Sequence, residues 1–183
     1  TANGVAPWGL QPDPIGADGN LFYKGFFTLL MGLHRYVSGD NKWNSPFDMI
    51  RDGEHTFTWT HSRIVAFLAN QWNNNQKGCH CENTKIWPFW LAGAGLSLRL
   101  YDKIFGTNHH NAFDKWWNFA KEHYVSWDKG KPVSVDLYYD PVIDQHVGRG
   151  PMGIITPVWY FAPQRREIAE IGWETLGCFY GVL

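Results

Sequence analysis

Residues 78–105 read GCHCENTKIWPFWLAGAGLSLRLYDKIF, and this stretch decides the fold. A short polar loop carrying Cys79, His80, Cys81 and Glu82 leads into a helix predicted over Lys85–Phe105. Asn83 or Thr84 supplies its cap, Pro88 is tolerated in its first turn, and Gly106 stops it. The run Ile86–Leu98 is apolar on all sides, so the helix belongs in the middle of a core. It is too short to span a bilayer and continues into Arg99, Asp102 and Lys103. Gly93 and Gly95 allow neighbouring helices to approach closely.

Four further helices are expected around it. Asn20 opens one over Leu21–Ser38, closed by Gly39, with Phe22, Phe26, Leu29, Leu30 and Leu33 at helical spacing. Thr60 or Ser62 caps the next, which carries Ile64, Val65, Phe67, Leu68 and Trp72. Another starts at Asn108 or Asn111 and runs to about Tyr124, with an aromatic face of Phe113, Trp116, Trp117 and Phe119. The last spans about Gln164–Phe179. Asp40–Thr58 reads as a polar connection with a short turn near Phe47–Ile50, and residues 1–19 as an extended lead-in. Lys129–Pro163 is irregular, with one β-like stretch at Pro132–Tyr139; so long a segment in a compact domain usually has a functional reason. Helices joined by loops, with little alternating pattern, point to one all-α domain over residues 1–183, built from helical hairpins.

The 183 residues carry 16 Lys and Arg against 17 Asp and Glu, with no basic stripe, which argues against nucleic-acid binding. Charged residues make up only 18% while Trp alone counts 11, so large interfaces or an aromatic pocket are expected. Three cysteines make no disulfide framework, and free thiols point to a reducing compartment or a catalytic use. Residues 1–19 show no secretory signal. Walker, GxGxxG and GxSxG patterns do not occur.

Cys81 and Glu82, placed at a helix start, form the leading catalytic pair: the dipole there should lower the thiol's pKa. A small buried cysteine beside a dipole-favoured glutamate is the plainer explanation. A metal is not expected, because one residue between Cys79 and Cys81 is a poor zinc spacing and no second pair follows. Asp136, Tyr138, Tyr139, Asp140, Asp144 and His146 crowd the irregular segment. A carboxyl group buried there among rings should have a raised pKa and be able to protonate an alkene or alcohol; turn capping explains the same residues. Phe22, Phe26, Trp87 and Trp90 are core residues or a cavity lining able to stabilise a cation or to stack on a sugar.

The segments Asn20–Gly25 (NLFYKG), Leu33 to Asp40, Gly78 to Glu82, Leu100 to Asp102 and Gly106-Thr107, with Tyr139 to Pro141 more loosely, resemble the linalool dehydratase/isomerase family over about Asn20–Glu174. The resemblance implies an (α/α)6 toroid, incomplete in this chain, with a central cavity for an isoprenoid alcohol or hydrocarbon. It implies dehydration, hydration or isomerisation without metal or organic cofactor. Cys81 matches the first of two family cysteines; Trp90 stands where the second would fall, and Phe26 where the family has a histidine.

The expected site therefore has Cys81, Glu82, Asp140 and Tyr139 as catalytic groups and Tyr23, Phe26, Phe22, Trp87, Trp90 and His146 around a bulky terpenoid-like substrate. Lyase, isomerase or cyclase activity is expected. Further polypeptide should complete the toroid, with a homo-oligomer as another way to cover its apolar faces. Two rivals remain: a carbohydrate-active α-toroid using Glu82 and Asp140, and a non-catalytic homologue that binds an apolar ligand.

Overall fold

The structure, a computed structural model, describes residues 12–181 apart from 18, 51–52, 83 and 151. Its helices are α1 (Leu21–Ser38), α2 (His61–Asn74), α3 (Pro88–Phe105), α4 (Asn111–His123), α5 (Met152–Phe161) and α6 (Arg166–Tyr180). Between them lie three antiparallel hairpins: β1 (Phe47–Ile50) with β2 (Thr56–Trp59), β3 (Val125–Asp128) with β4 (Lys131–Val135), and β5 (Tyr138–Asp140) with β6 (Gln145–Val147). The all-α expectation is thereby overturned: the described residues are 55% helical and 17% strand.

Each hairpin has a local cause. Lys129 and Gly130 both hold positive φ, 47° and 80°, the backbone of a two-residue turn whose twist matches paired strands. In β1–β2, Phe47 pairs with Trp59 and Met49 with Phe57, so one face of the hairpin lies on the core; the other carries Asp48, Thr56, Thr58 and the exposed Ile50. Asp144, at φ 51°, turns β5 into β6.

α3 is central. It packs against α1 and α5 and touches α2 and α4, and it buries Leu91, Ala92, Gly93, Ala94, Gly95 and Leu98. A Cβ on Gly25 of α1 would lie 2.7 Å from the Ala94 Cβ, and one on Gly95 would overlap the Phe113 ring of α4. These glycines set the distance between helix axes.

Helix ends follow the sequence reading with two exceptions. Gly39 and Gly106 close α1 and α3 in the left-handed region, and the Thr60 side chain accepts from the Arg63 N–H. Asn20, however, makes no side-chain cap and donates to the Pro14 carbonyl. α3 begins at Pro88 rather than Lys85, because Lys85 and Ile86 are engaged in bridges to Glu82 and Tyr139. α5 was not anticipated: Gly153 and the internal Pro157 hide it in the irregular segment. Of the expected lead-in, residues 1–11 and 18 lie outside the described residues; residues 14–16 form a turn that buries Ile15 completely. No helix among the described residues is long and apolar enough to cross a membrane.

His61, the first residue of α2, is 1% exposed, sits edge-on to Tyr101 at 4.7 Å and has no hydrogen-bond partner for Nε2. Burial lowers its pKa to about 4, partly offset by a hydrogen bond with the Thr28 backbone.

Gly95→Ala should cost about 1–3 kcal/mol by overpacking, read as a lower urea midpoint. For His61 the unfolded chain takes up a proton near pH 6.5 while the folded one resists until about 4. Stability should therefore fall as pH drops through that window, by about 3 kcal/mol. Urea unfolding across the window should show this slope in the parent and lose most of it in His61→Phe.

Candidate functional site

The turn that carries Cys81 is a tight backbone structure ahead of the helix. Cys81 N–H donates to the Lys85 carbonyl at 2.8 Å, and Leu21 N–H donates to the His80 carbonyl at 3.1 Å, tying the turn to the start of α1. Cys81 is fully buried; its Sγ lies 3.8 Å from the Cys79 carbonyl oxygen and 4.0 Å from that of Trp87. α3 starts only at Pro88, so Cys81 lies in the turn ahead of the helix and not in its first turn. Burial pushes its pKa well up, against the expected lowering. Glu82 points to solvent beside this turn.

Asp140 departs from expectation in the same sense. Its carboxylate pairs with Lys85 Nζ at 2.5 Å and accepts from the Val142 N–H at 3.0 Å. The Lys85 hydrogen bond holds its pKa below the ordinary carboxylate range, although the residue is buried. Such a group stays ionised near neutral pH and is no proton donor. It fixes the β5–β6 hairpin to the turn before α3.

The aromatic residues behave differently. Phe22 and Phe26 of α1 both meet Trp90 edge-on, at 4.4 Å and 5.1 Å. Trp90 continues to Phe89 at 4.5 Å, Phe89 to Trp87 at 5.5 Å, and Trp87 to Tyr138 of β5 at 5.1 Å. Tyr160 of α5 joins at Phe26, 5.9 Å away. Gly93 lies beneath this contact: a Cβ there would sit 3.4 Å from Phe26 and 3.5 Å from Tyr160, ordinary packing distances. Four expected lining residues, Phe22, Phe26, Trp87 and Trp90, therefore lie in one ladder, all of them partly exposed. Tyr23 starts another stack with Phe27, Phe47 and Trp43. Burial raises the pKa of both Tyr23 and Tyr160, keeping each phenol protonated.

Tyr139 of β5 and its cross-strand partner His146 of β6 lie on the other face of the hairpin. Successive strand residues point to opposite sides, so Tyr138 faces Trp87 while Tyr139 faces a pocket of about 200 Å³ lined by Lys77, Phe119, His123, Tyr124, Asp144 and His146. Tyr139 Oη accepts from Lys77 Nζ at 2.8 Å and donates to Asp144 at 2.5 Å; the first contact raises the Lys77 pKa. His146 Nδ1 meets Asp136 at 2.5 Å, and Asp136, wholly buried, also takes the Arg149 Nε–H at 2.5 Å. That bond raises the Arg149 pKa.

The structure thus separates the expected residues into a buried thiol turn, an aromatic ladder and a polar pocket. Lys77, Arg149 and Tyr160 were missed. Lys77 reaches Tyr139 from a loop distant in sequence and gives no local signal; Arg149 stands three residues beyond His146 and was legible in principle. No three His, Cys, Asp or Glu side chains among the described residues converge to hold a metal ion.

A model of the linalool dehydratase/isomerase family matches residues 5–175 of the chain, spanning all three regions. Thiol chemistry offers a direct check on the turn. Native protein treated with iodoacetamide at about pH 8 should be alkylated at exposed Cys178 alone. Cys79 and Cys81 should react only after unfolding, as peptide mass spectrometry would read; rapid labelling of native Cys81 would contradict its burial.

Proposed function

We propose that this chain, which belongs to the linalool dehydratase/isomerase family, a family of lyases and isomerases, acts on a terpenoid-like alcohol or alkene laid against the ladder from Phe22 to Tyr138. The observation that carries the reading is the ladder itself. Its half-exposed rings offer π-faces to an apolar chain and to any allylic cation formed when a protonated hydroxyl leaves as water.

General acid/base chemistry then needs a hydroxyl or carboxyl group beside the rings. Tyr160, held neutral by burial, stands at one end of the ladder and Tyr138 at the other. These phenols take the role of hydrogen-bonding the substrate's oxygen: a phenol gives its proton to the departing hydroxyl and takes one back from the carbon beside the cation, so that it is restored when water and alkene have formed. Cys81, kept as a thiol by burial, supports the wall from behind through the Trp87 carbonyl. Phe26 and Trp90 enlarge the aromatic surface and suit a substrate bulkier than linalool, for isomerisation or cyclisation as much as for water loss. Leu30, Leu33, Tyr36 and Val37 leave the outer face of α1 apolar and exposed, and further polypeptide or a second copy would close the chamber there.

The test is incubation with isoprenoid alcohols and alkenes of increasing chain length, with products read by gas chromatography and mass spectrometry. Turnover should drop about tenfold in Trp90→Ala, the equivalent of one lost cation–π contact, and also fall in Tyr160→Phe, which keeps the ring. A folded protein that binds these compounds and converts none of them would point to the non-catalytic homologue instead.

A further inference from the structure

The geometry points to a second site, on the opposite face of β5 from the ladder, that binds a neutral polyhydroxylated ring of the pyranose class between Phe119, Tyr139 and His146. The rings of Tyr124, Tyr139 and His146 follow one another at 5.7 Å and 4.9 Å, Tyr124 and Tyr139 buried beneath the pocket and His146 exposed at its rim, while Phe119 stands edge-on to Tyr124 at 5.6 Å. His123 stacks on Phe119 at 4.0 Å and extends one wall. Carbon-bound hydrogens on the flat side of a sugar pack on such surfaces.

Polar groups on this floor are held in place before any ligand arrives. Asp136 is a carboxylate acceptor with no exposed surface, so the 2.5 Å contact puts the His146 proton on Nδ1. Nε2, on the far side of the ring, is left to hydrogen-bond a ligand hydroxyl. Arg149 holds Asp136 from two nitrogens, at 2.5 Å and 3.1 Å, and is itself anchored on the His123 carbonyl at 2.9 Å. Across the pocket the Tyr139 hydroxyl fixes Lys77 as a donor and Asp144 as an acceptor; Asp144 uses one oxygen for this and keeps the other for a ligand.

Charge selects the ligand class. Lys77 and Asp144 carry opposite charges on one rim, and Asp136 is matched by Arg149. An anion would meet Asp144 and a cation would meet Lys77, whereas a neutral ligand with alternating donors and acceptors satisfies both. A pocket of about 200 Å³ is below the usual drug-sized range of about 300–1,000 Å³ and suits a single sugar ring.

Saturation-transfer NMR with methyl glucoside, methyl galactoside and methyl xyloside tests the site, using inorganic phosphate, tetramethylammonium and p-cresol as comparison ligands. At least one pyranoside should bind at millimolar concentration through its ring C–H protons. Its affinity should fall about tenfold in Asp144→Asn and in His146→Ala, the loss expected of one hydrogen bond to a charged or oriented group. Asp144 is exposed, so the isosteric Asp144→Asn keeps the fold, to be checked by circular dichroism and thermal melting. The proposal is overturned if no pyranoside binds, or if one binds equally well to folded Asp144→Asn. It is overturned as well if phosphate, tetramethylammonium or p-cresol shows the mutation-sensitive binding in place of a sugar.

Discussion

The rest of the structure depends on how near other elements come to the middle of α3. Ala92, Gly93, Ala94 and Gly95 give that helix a narrow waist between bulky neighbours, and interiors packed at crystal density transmit such a constraint outward. Gly25 seats α1 against Ala94, which carries Phe22 and Phe26 to Trp90. Gly95 receives Phe113 and so positions α4, while Gly93 faces Phe26 and Tyr160. The aromatic ladder is a consequence of that waist: larger residues there would push its contributing helices apart.

Around this apolar centre, ion pairs fasten the segments that have little regular structure of their own. Lys85 with Asp140 joins the turn before α3 to the β5–β6 hairpin, and Asp136 gathers Arg149 and His146. Charged groups that look like chemistry in the sequence prove in part to be fasteners. A carboxylate cannot both serve as a buried anchor for lysine and release a proton near neutrality. The same logic applies to Cys81, whose single S–H lies between two backbone carbonyl acceptors of its own neighbourhood.

Much of the helical skeleton was legible in the sequence. α1 matches its expected bounds, because apolar spacing and Gly39 leave little choice, and α2 starts beside Thr60 because a hydroxyl there satisfies the Arg63 N–H. The three hairpins were not read, apart from a β-like stretch at Pro132–Tyr139. Strands of three to five residues are too short for alternation to stand out, and Lys129-Gly130 was the one turn signal strong enough to have been used. The start of α3 was misplaced because Ile86 is drawn into a bridge with Tyr139, a partner far away in sequence. Of the site, the ladder was largely visible as aromatic spacing on two helices. The Lys77–Tyr139–Asp144 chain was not, since nothing in the loop holding Lys77 announces where its side chain goes.

The three residues of β5 have a bearing on how such a protein diversifies. Tyr138 serves one face and Tyr139 the other solely through strand parity, and a shift of register by one residue exchanges every side chain between faces. Deleting or inserting a single amino acid ahead of this strand would hand each phenol to the opposite compartment. Indels at that point are therefore a larger evolutionary step than most substitutions, and the pairing of Ile86 with Tyr139 acts as the ratchet that resists them.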